Sequence, residues 1–147
     1  MEDLLTPAMR SEYAIPASEV SVITMYDADK QELFELFKAR ANKGNRRELL
    51  GVKISTVDSS QSIGYGVVII HMVSGNDTPG LITNTNRFNV AVSRAKELMF
   101  LVSNMDFLTG SAWPKNKPEV GNWLKGDFLP RAVPWPTTVP SMPAVRP

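Results

Sequence analysis

The chain has 147 residues, enough for one domain with its own core. With 43% hydrophobic and 21% charged residues it is an ordinary globular composition, and a net charge of +1 excludes a strong overall field toward nucleic acid or membrane. The absence of cysteine excludes disulfides, thiol catalysis and thiolate metal sites, and a single histidine, His71, excludes a multi-histidine zinc centre. No apolar run is long enough to span a membrane, and the acidic, polar start is unlike a secretion signal, so the expected compartment is cytoplasm or nucleus.

Residues 1–19 read as an N-terminal arm, because Pro7 and Pro16 interrupt any helix. Val20 to Met25 reads as a short buried strand. Asp27 to Ala41 follows as a helix, with Leu33, Phe34, Phe37 and Ala41 on its inner side and Asp27 or Asp29 as a cap. The stretch from Ala39 to Arg47 ends it; its basic residues could touch phosphates or form a solvated connector. Val52 to Val57 is the second strand. The polar run Asp58 to Ser62 stands at that strand's C-terminal end, the edge where open α/β sheets bind ligands.

Val67 to Val73 is the third strand, and Ser74 to Thr85 a surface loop. His71 sits in the third strand's apolar run and reads as a satisfied structural histidine. A helix from about Asn86 to Ala95 precedes a strand from Glu97 to Val102, whose unbroken apolar run suits a central strand covered on both faces. Arg87 and Arg94 lie seven residues apart, two helical turns, and so project from one face near the mouth of the sheet. This order implies an α/β fold with a largely parallel sheet. A short helix from Glu119 to Phe128 carries Trp123 and Leu124. Eight of the eleven prolines lie from Pro114 onward, so residues 130–147 read as a Pro-rich tail.

Three stretches together resemble the C-terminal motor domain of superfamily 1 helicases, in the branch of P-loop NTPases that includes the nonsense-mediated-decay helicase. Ile23-Thr24-Met25-Tyr26 is similar to the fourth motif, I-T/S-P-Y-x-x-Q. Ser55 to Gln61, followed by Val67 to Ile70, is similar to the fifth, T-V-D-S-F-Q-G-x-E-x-D-V-V-I-I. Asn86 to Lys96 is similar to the sixth, R-R-L-N-V-A-L-T-R-A-R/K. The resemblance implies a RecA-like three-layer sandwich over residues 20–110, with a helical extension over 111–129. It implies that Arg94 is an arginine finger reaching the γ-phosphate of ATP, that Arg87 supports the phosphate site or pairs with an acid, and that Thr56, Asp58, Ser59 and Gln61 contact nucleic acid or relay nucleotide state to it. Asp58 and Ser59 could equally do no more than cap a turn, and Arg87 could form only a surface ion pair.

The same resemblance defines what is missing. The sequence contains no G-x-x-x-x-G-K-[ST] loop and no Asp-Glu box ahead of the matched region. Those belong to a first RecA-like domain, for which the residues before Val20 leave no room. ATP and Mg²⁺ are therefore expected only with a complementary phosphate-loop half supplied in trans, and single-stranded RNA or DNA is expected to bind weakly to this chain alone. No residue set is expected to ligate a metal. Within the motifs, Ser62 stands for a Gly, Gly64 for an acid that contacts nucleotide, Asp29 for a Gln and Asn86 for an Arg. The expectation is half a motor, inactive alone. The alternatives are a non-catalytic helicase-derived module that binds RNA or a protein, and an unrelated α/β enzyme, for which no nucleophile-base pair is visible.

Overall fold

The computed structural model describes residues 15–44, 46–72, 80–103 and 119–131. Seven regular elements follow in order: β1 (Val20–Thr24), α1 (Asp27–Lys43), β2 (Lys53–Thr56), β3 (Tyr65–Met72), α2 (Thr85–Val92), β4 (Ala95–Ser103) and α3 (Glu119–Trp123). The four strands form one sheet in the order β2-β1-β3-β4, and each neighbouring pair is parallel. This is the α/β, RecA-like arrangement the motifs imply. Residues 1–14 of the expected N-terminal arm, 74–79 of the expected loop 74–85, the turn at 106–108, and 132–147 of the expected tail 130–147 lie outside the described residues; the described end of the loop contains a 3-10 turn, Gly80–Thr83, with Ile82 and Thr83 buried.

β1 is buried along its whole length and β3 at every position but His71, as expected of strands flanked on both sides. Alternation along β3 divides the core. Val67 and Ile69 face α1 together with Val20, Val22 and Leu33. Val68, Ile70 and Met72 face the other way, against Phe88 and Ala91 of α2 and Val120 of α3. Three layers result. Trp123 holds the helical extension onto α2, its ring 5.0 Å from that of Phe88 in an edge-to-face contact. Beyond it the chain continues as a π-helical turn, Leu124–Phe128, with Leu124 buried. No helix among the described residues is long and apolar enough to cross a membrane.

Three expectations are corrected here. β4 is not central: it lies at the sheet's edge among the described residues, and Leu98 is 44% exposed. On α1, Leu33 and Ala41 are buried and Phe37 packs beside them, but Phe34 points out and is 51% exposed. The buried residues are spaced at i, i+4 and i+8, which fixes a narrower stripe than the sequence count allowed and leaves Phe34 one position round the helix. Neither Asp27 nor Asp29 caps α1. Tyr26 occupies that position, and no side chain caps there.

Tyr26 has a different task. Its hydroxyl accepts the backbone N–H of Leu81 at 3.1 Å, tying the end of β1 to the 3-10 turn Gly80–Thr83 that leads into α2. Gly80 sits under that hydroxyl with φ +48°, and a Cβ added there would collide with the Tyr26 oxygen. Both conformation and space therefore require glycine. Gly80→Ala should lower stability by about 1–3 kcal/mol, and Tyr26→Phe by about 1 kcal/mol. In urea denaturation the double variant should lose less than the two single losses combined, because removing the hydroxyl makes room for the new methyl.

Candidate functional site

The motif residues assemble at two ends of the sheet. At the C-terminal end of β2 the chain folds back on itself through Thr56 and Ser59. Ser59 Oγ accepts the Thr56 N–H at 3.0 Å and lies 3.0 Å from Thr56 Oγ1, while the Ser59 N–H is donated to Thr56 Oγ1 at 3.3 Å. Ser60 Oγ donates to the Val57 carbonyl at 2.8 Å from a buried position. The 3-10 turn Asp58–Ser60 is thus closed by side chains, the hydroxyls replacing absent ladder partners. Asp58 projects from this turn and pairs with Arg87 of α2 at 2.9 Å, both side chains partly exposed. Gln61 is exposed and makes no hydrogen bond among the described residues.

Arg87 is placed by its own helix start. Asn84 is the N-cap of α2, and its Oδ1 accepts the Arg87 N–H at 3.2 Å. The sequence reading missed this cap, although an Asn three positions ahead of Arg87 in a Thr-Asn-Thr-Asn run is the usual signal for one.

Arg94 does not share the face of Arg87. α2 ends at Val92, and Arg94 lies in the turn that enters β4. Two side chains end the helix by competing for one carbonyl: Ser93 Oγ and Arg94 Nε both donate to the Val90 oxygen at 3.0 Å. A second guanidinium nitrogen, Nη2, lies 2.9 Å from Ser93 Oγ. The backbone carbonyl of Arg94 accepts the Tyr65 N–H at 2.9 Å, which places Arg94 at the N-terminal end of β3 and β4, the end opposite Asp58. Gly64 is there too: a Cβ on it would lie 3.0 Å from Lys96 Cε and 3.6 Å from the Arg94 carbonyl oxygen. The expectation that both arginines flank one mouth of the sheet is therefore corrected.

The two arginines also differ in charge compensation. Arg87 faces a carboxylate. Arg94 rests on a carbonyl and a hydroxyl, both neutral, and forms no ion pair among the described residues. A guanidinium stays charged at any working pH, so the corner of Gly64, Arg94 and Lys96 carries uncompensated positive charge. One residue links the ends under strain. Ser62 has φ +70°, in the left-handed region that favours glycine, at the position where the fifth motif has its Gly.

His71 occupies the C-terminal end of β3, beside Thr24 of β1 and Val102 of β4. The reading of a satisfied histidine is corrected: its Nδ1 is buried with no hydrogen-bond partner among the described residues. Burial holds its pKa below the usual 6.5, against the opposing pull of the Asp29 and Glu32 carboxylates. Burial in turn raises the pKa of Asp29, which His71 partly offsets.

Comparison with known proteins gives a consistent picture. The AAA domain family model matches residues 2–106. The human RNA helicase Mov10l1 is 29% identical over 98 residues, covering 61% of this chain and 8% of that protein. DNA polymerase alpha-associated DNA helicase A of Saccharomyces cerevisiae is 28% identical over 98 residues, covering 65% and 14%. Replicase polyprotein 1ab of Alphamesonivirus 1 is 31% identical over 96 residues, covering 65% and 2%. The chain thus spans only a small part of the length of these relatives.

Two outcomes are expected from this geometry. Ser62→Gly should raise the unfolding free energy by about 0.5–1 kcal/mol, seen as a higher urea midpoint, by relieving the left-handed serine. Where the folded pKa of His71 lies below 6.5, the unfolded chain binds more protons, so stability is full above 6.5 and falls as pH drops through the folded value. Denaturation midpoints should decline across that window in the wild type and decline less in His71→Gln. Asp29 has the opposite sign, its raised pKa removing stability as pH climbs above 3.8.

Proposed function

The chain belongs to the AAA domain family and is a helicase-like domain, and from this premise we propose that it is the C-terminal motor half of an ATP-dependent RNA or DNA helicase. Arg94 is its arginine finger. The observation that carries this reading is the state of the Arg94 charge: a guanidinium held at a strand end by two neutral acceptors, with no ion pair to a carboxylate among the described residues. Hydrogen bonds to neutral groups are weaker than those to phosphate oxygens, so an incoming phosphate can take the guanidinium over. Lys96, whose stem lies over Gly64, adds a second cation to the same corner.

Arg87 and Asp58 serve the other end. Their ion pair ties the turn carrying Thr56 and Ser59 to α2, so a displacement of α2 on nucleotide engagement is passed to that turn. There the hydroxyls and the exposed Gln61 can meet a nucleic-acid backbone, which sets position without reading sequence. When bound, ATP would supply the phosphoryl group, and Mg²⁺ would help neutralise the negative charge that Arg94 is placed to stabilise. The Mg²⁺ ligands and the phosphate cradle are assigned in this reading to a first RecA-like half, which carries the phosphate loop.

A non-catalytic binding module is the second reading. Gly64 favours it, since no side chain stands where the fifth motif has its acid.

The deciding experiment is ATP turnover by the chain alone and after addition of a phosphate-loop RecA-like half. The expected outcome is no turnover alone, RNA-stimulated turnover on mixing, and a loss of roughly 10³-fold or more in Arg94→Ala. Turnover by the chain alone that is lost in Arg94→Ala would overturn the half-site reading. Failure of any phosphate-loop half to restore activity would favour the non-catalytic module.

A further inference from the structure

The positive charge of this chain is unevenly placed. Residues 40–53 contain five cations, Arg40, Lys43, Arg46, Arg47 and Lys53, against one acid, Glu48, whereas the whole chain carries only +1. The remainder is therefore net acidic. Along α1 the acids Asp27, Asp29, Glu32 and Glu35 occupy the first half, where Lys30 and Lys38 pair with Asp27 and Glu35, and further cations follow in the last turn and beyond. All five are exposed. Arg40 and Arg46 also make contacts within the fold. Lys43, Arg47 and Lys53 enter no ion pair among the described residues.

Topology gathers these residues on one patch. α1 runs back across the sheet and ends with Lys43. The 3-10 turn Arg47–Gly51 packs against it, and Lys53 opens β2, paired in register with Ser21 near the start of β1. The patch thus lies at the N-terminal end of the sheet, opposite Thr56, Asp58 and Arg87. It sits on the β2 edge, whereas Arg94 lies at the β3–β4 side. The turn, rising only about 2 Å per residue, keeps Arg47 close to both the helix end and the start of β2. A cluster of this kind creates a local anion-attracting field that a net charge near zero conceals.

We infer that this patch binds the phosphodiester backbone of single-stranded nucleic acid, without regard to sequence, as a second contact separate from the motor site. Three exposed cations, at a helix end, in a turn and at a strand start, suit spaced phosphates. Clustered Lys and Arg charges attract phosphates, and phosphate contacts carry no sequence information, so backbone contact is what the surface offers. A strand held at this end would be retained whatever the state of the nucleotide at Arg94.

The test uses the full chain and a fluorescein-labelled oligouridine of about twenty nucleotides, followed by anisotropy without nucleotide over about 50 to 200 mM salt. The proposal does not rest on ATP chemistry, so its failure and that of the motor reading are separately visible. Replacing Lys43, Arg47 and Lys53 together by Ala should weaken binding about tenfold at the lowest salt and reduce the log–log salt slope by about 2, near 0.7 for each lost cation. The charge-conserving set Lys43→Arg, Arg47→Lys and Lys53→Arg should keep the slope. Should the triple Ala variant not fold, Arg47→Glu alone should still lower slope and affinity. An unchanged slope in the Ala variant would overturn the proposal. So would the absence of oligouridine binding by the wild type, or tighter binding of a labelled polyglutamate, which would make this a surface for acidic proteins.

Discussion

The constraint on which the structure turns is the return from β2 to β3. The two strands are parallel with β1 between them, so the chain must leave the top of one and re-enter at the bottom of the other. Such returns usually contain a helix. Here only residues 57–64 are available, and three of them are spent in the turn Asp58–Ser60. Thr56 is level with Thr24, and β3 begins two residues before the position level with Val20, a drop of about 20 Å. Fully extended, eight residues reach about 26–29 Å, so the path has little slack. The left-handed Ser62 and the close approach of Gly64 to Lys96 both fall in the last half of this path, where the chain must be aimed back under the sheet.

That short path also joins the two groups of functional side chains. Its start carries Asp58, bound to the first turn of α2. Its end lies against the residue that follows α2. Connection and helix therefore run side by side between the same two ends, pinned at both. A rigid helix pinned beside a taut strand transmits displacement well, because neither can shorten independently. In the motor reading proposed above, this would couple a phosphate at one end to a backbone contact at the other.

Much of this was legible in the residues. The unbroken apolar runs marked β1 and β3, and the pairing of Arg87 with an acid was among the open readings. The rest was hidden for identifiable reasons. Periodicity reports burial of a segment, not its rank in a sheet, so β4 read as central although it is an edge strand with Leu98 exposed. The seven-residue spacing of Arg87 and Arg94 places them together only if the helix continues. It stops because the Ser93 and Arg94 side chains take the Val90 carbonyl. Phe34 read as core because a count of apolar residues does not fix the width of the stripe. His71 read as satisfied because nothing in a sequence shows that a ring nitrogen is buried with no partner among the described residues.

Ser62 and Gly64 can be weighed together. Serine in the left-handed region costs about 1–2 kcal/mol relative to a relaxed backbone, yet the connection still follows the path a glycine would take. The ends, Asp58 on Arg87 and Tyr65 on Arg94, therefore impose the path, and local preference yields. At Gly64 the exchange acts on charge. An acid there would stand beside the Lys96 stem and neutralise part of the corner. Without it, neither Arg94 nor Lys96 enters an ion pair among the described residues. The two departures from the motif thus act on different things: one removes stability from the connection, the other leaves this corner of the sheet more positive.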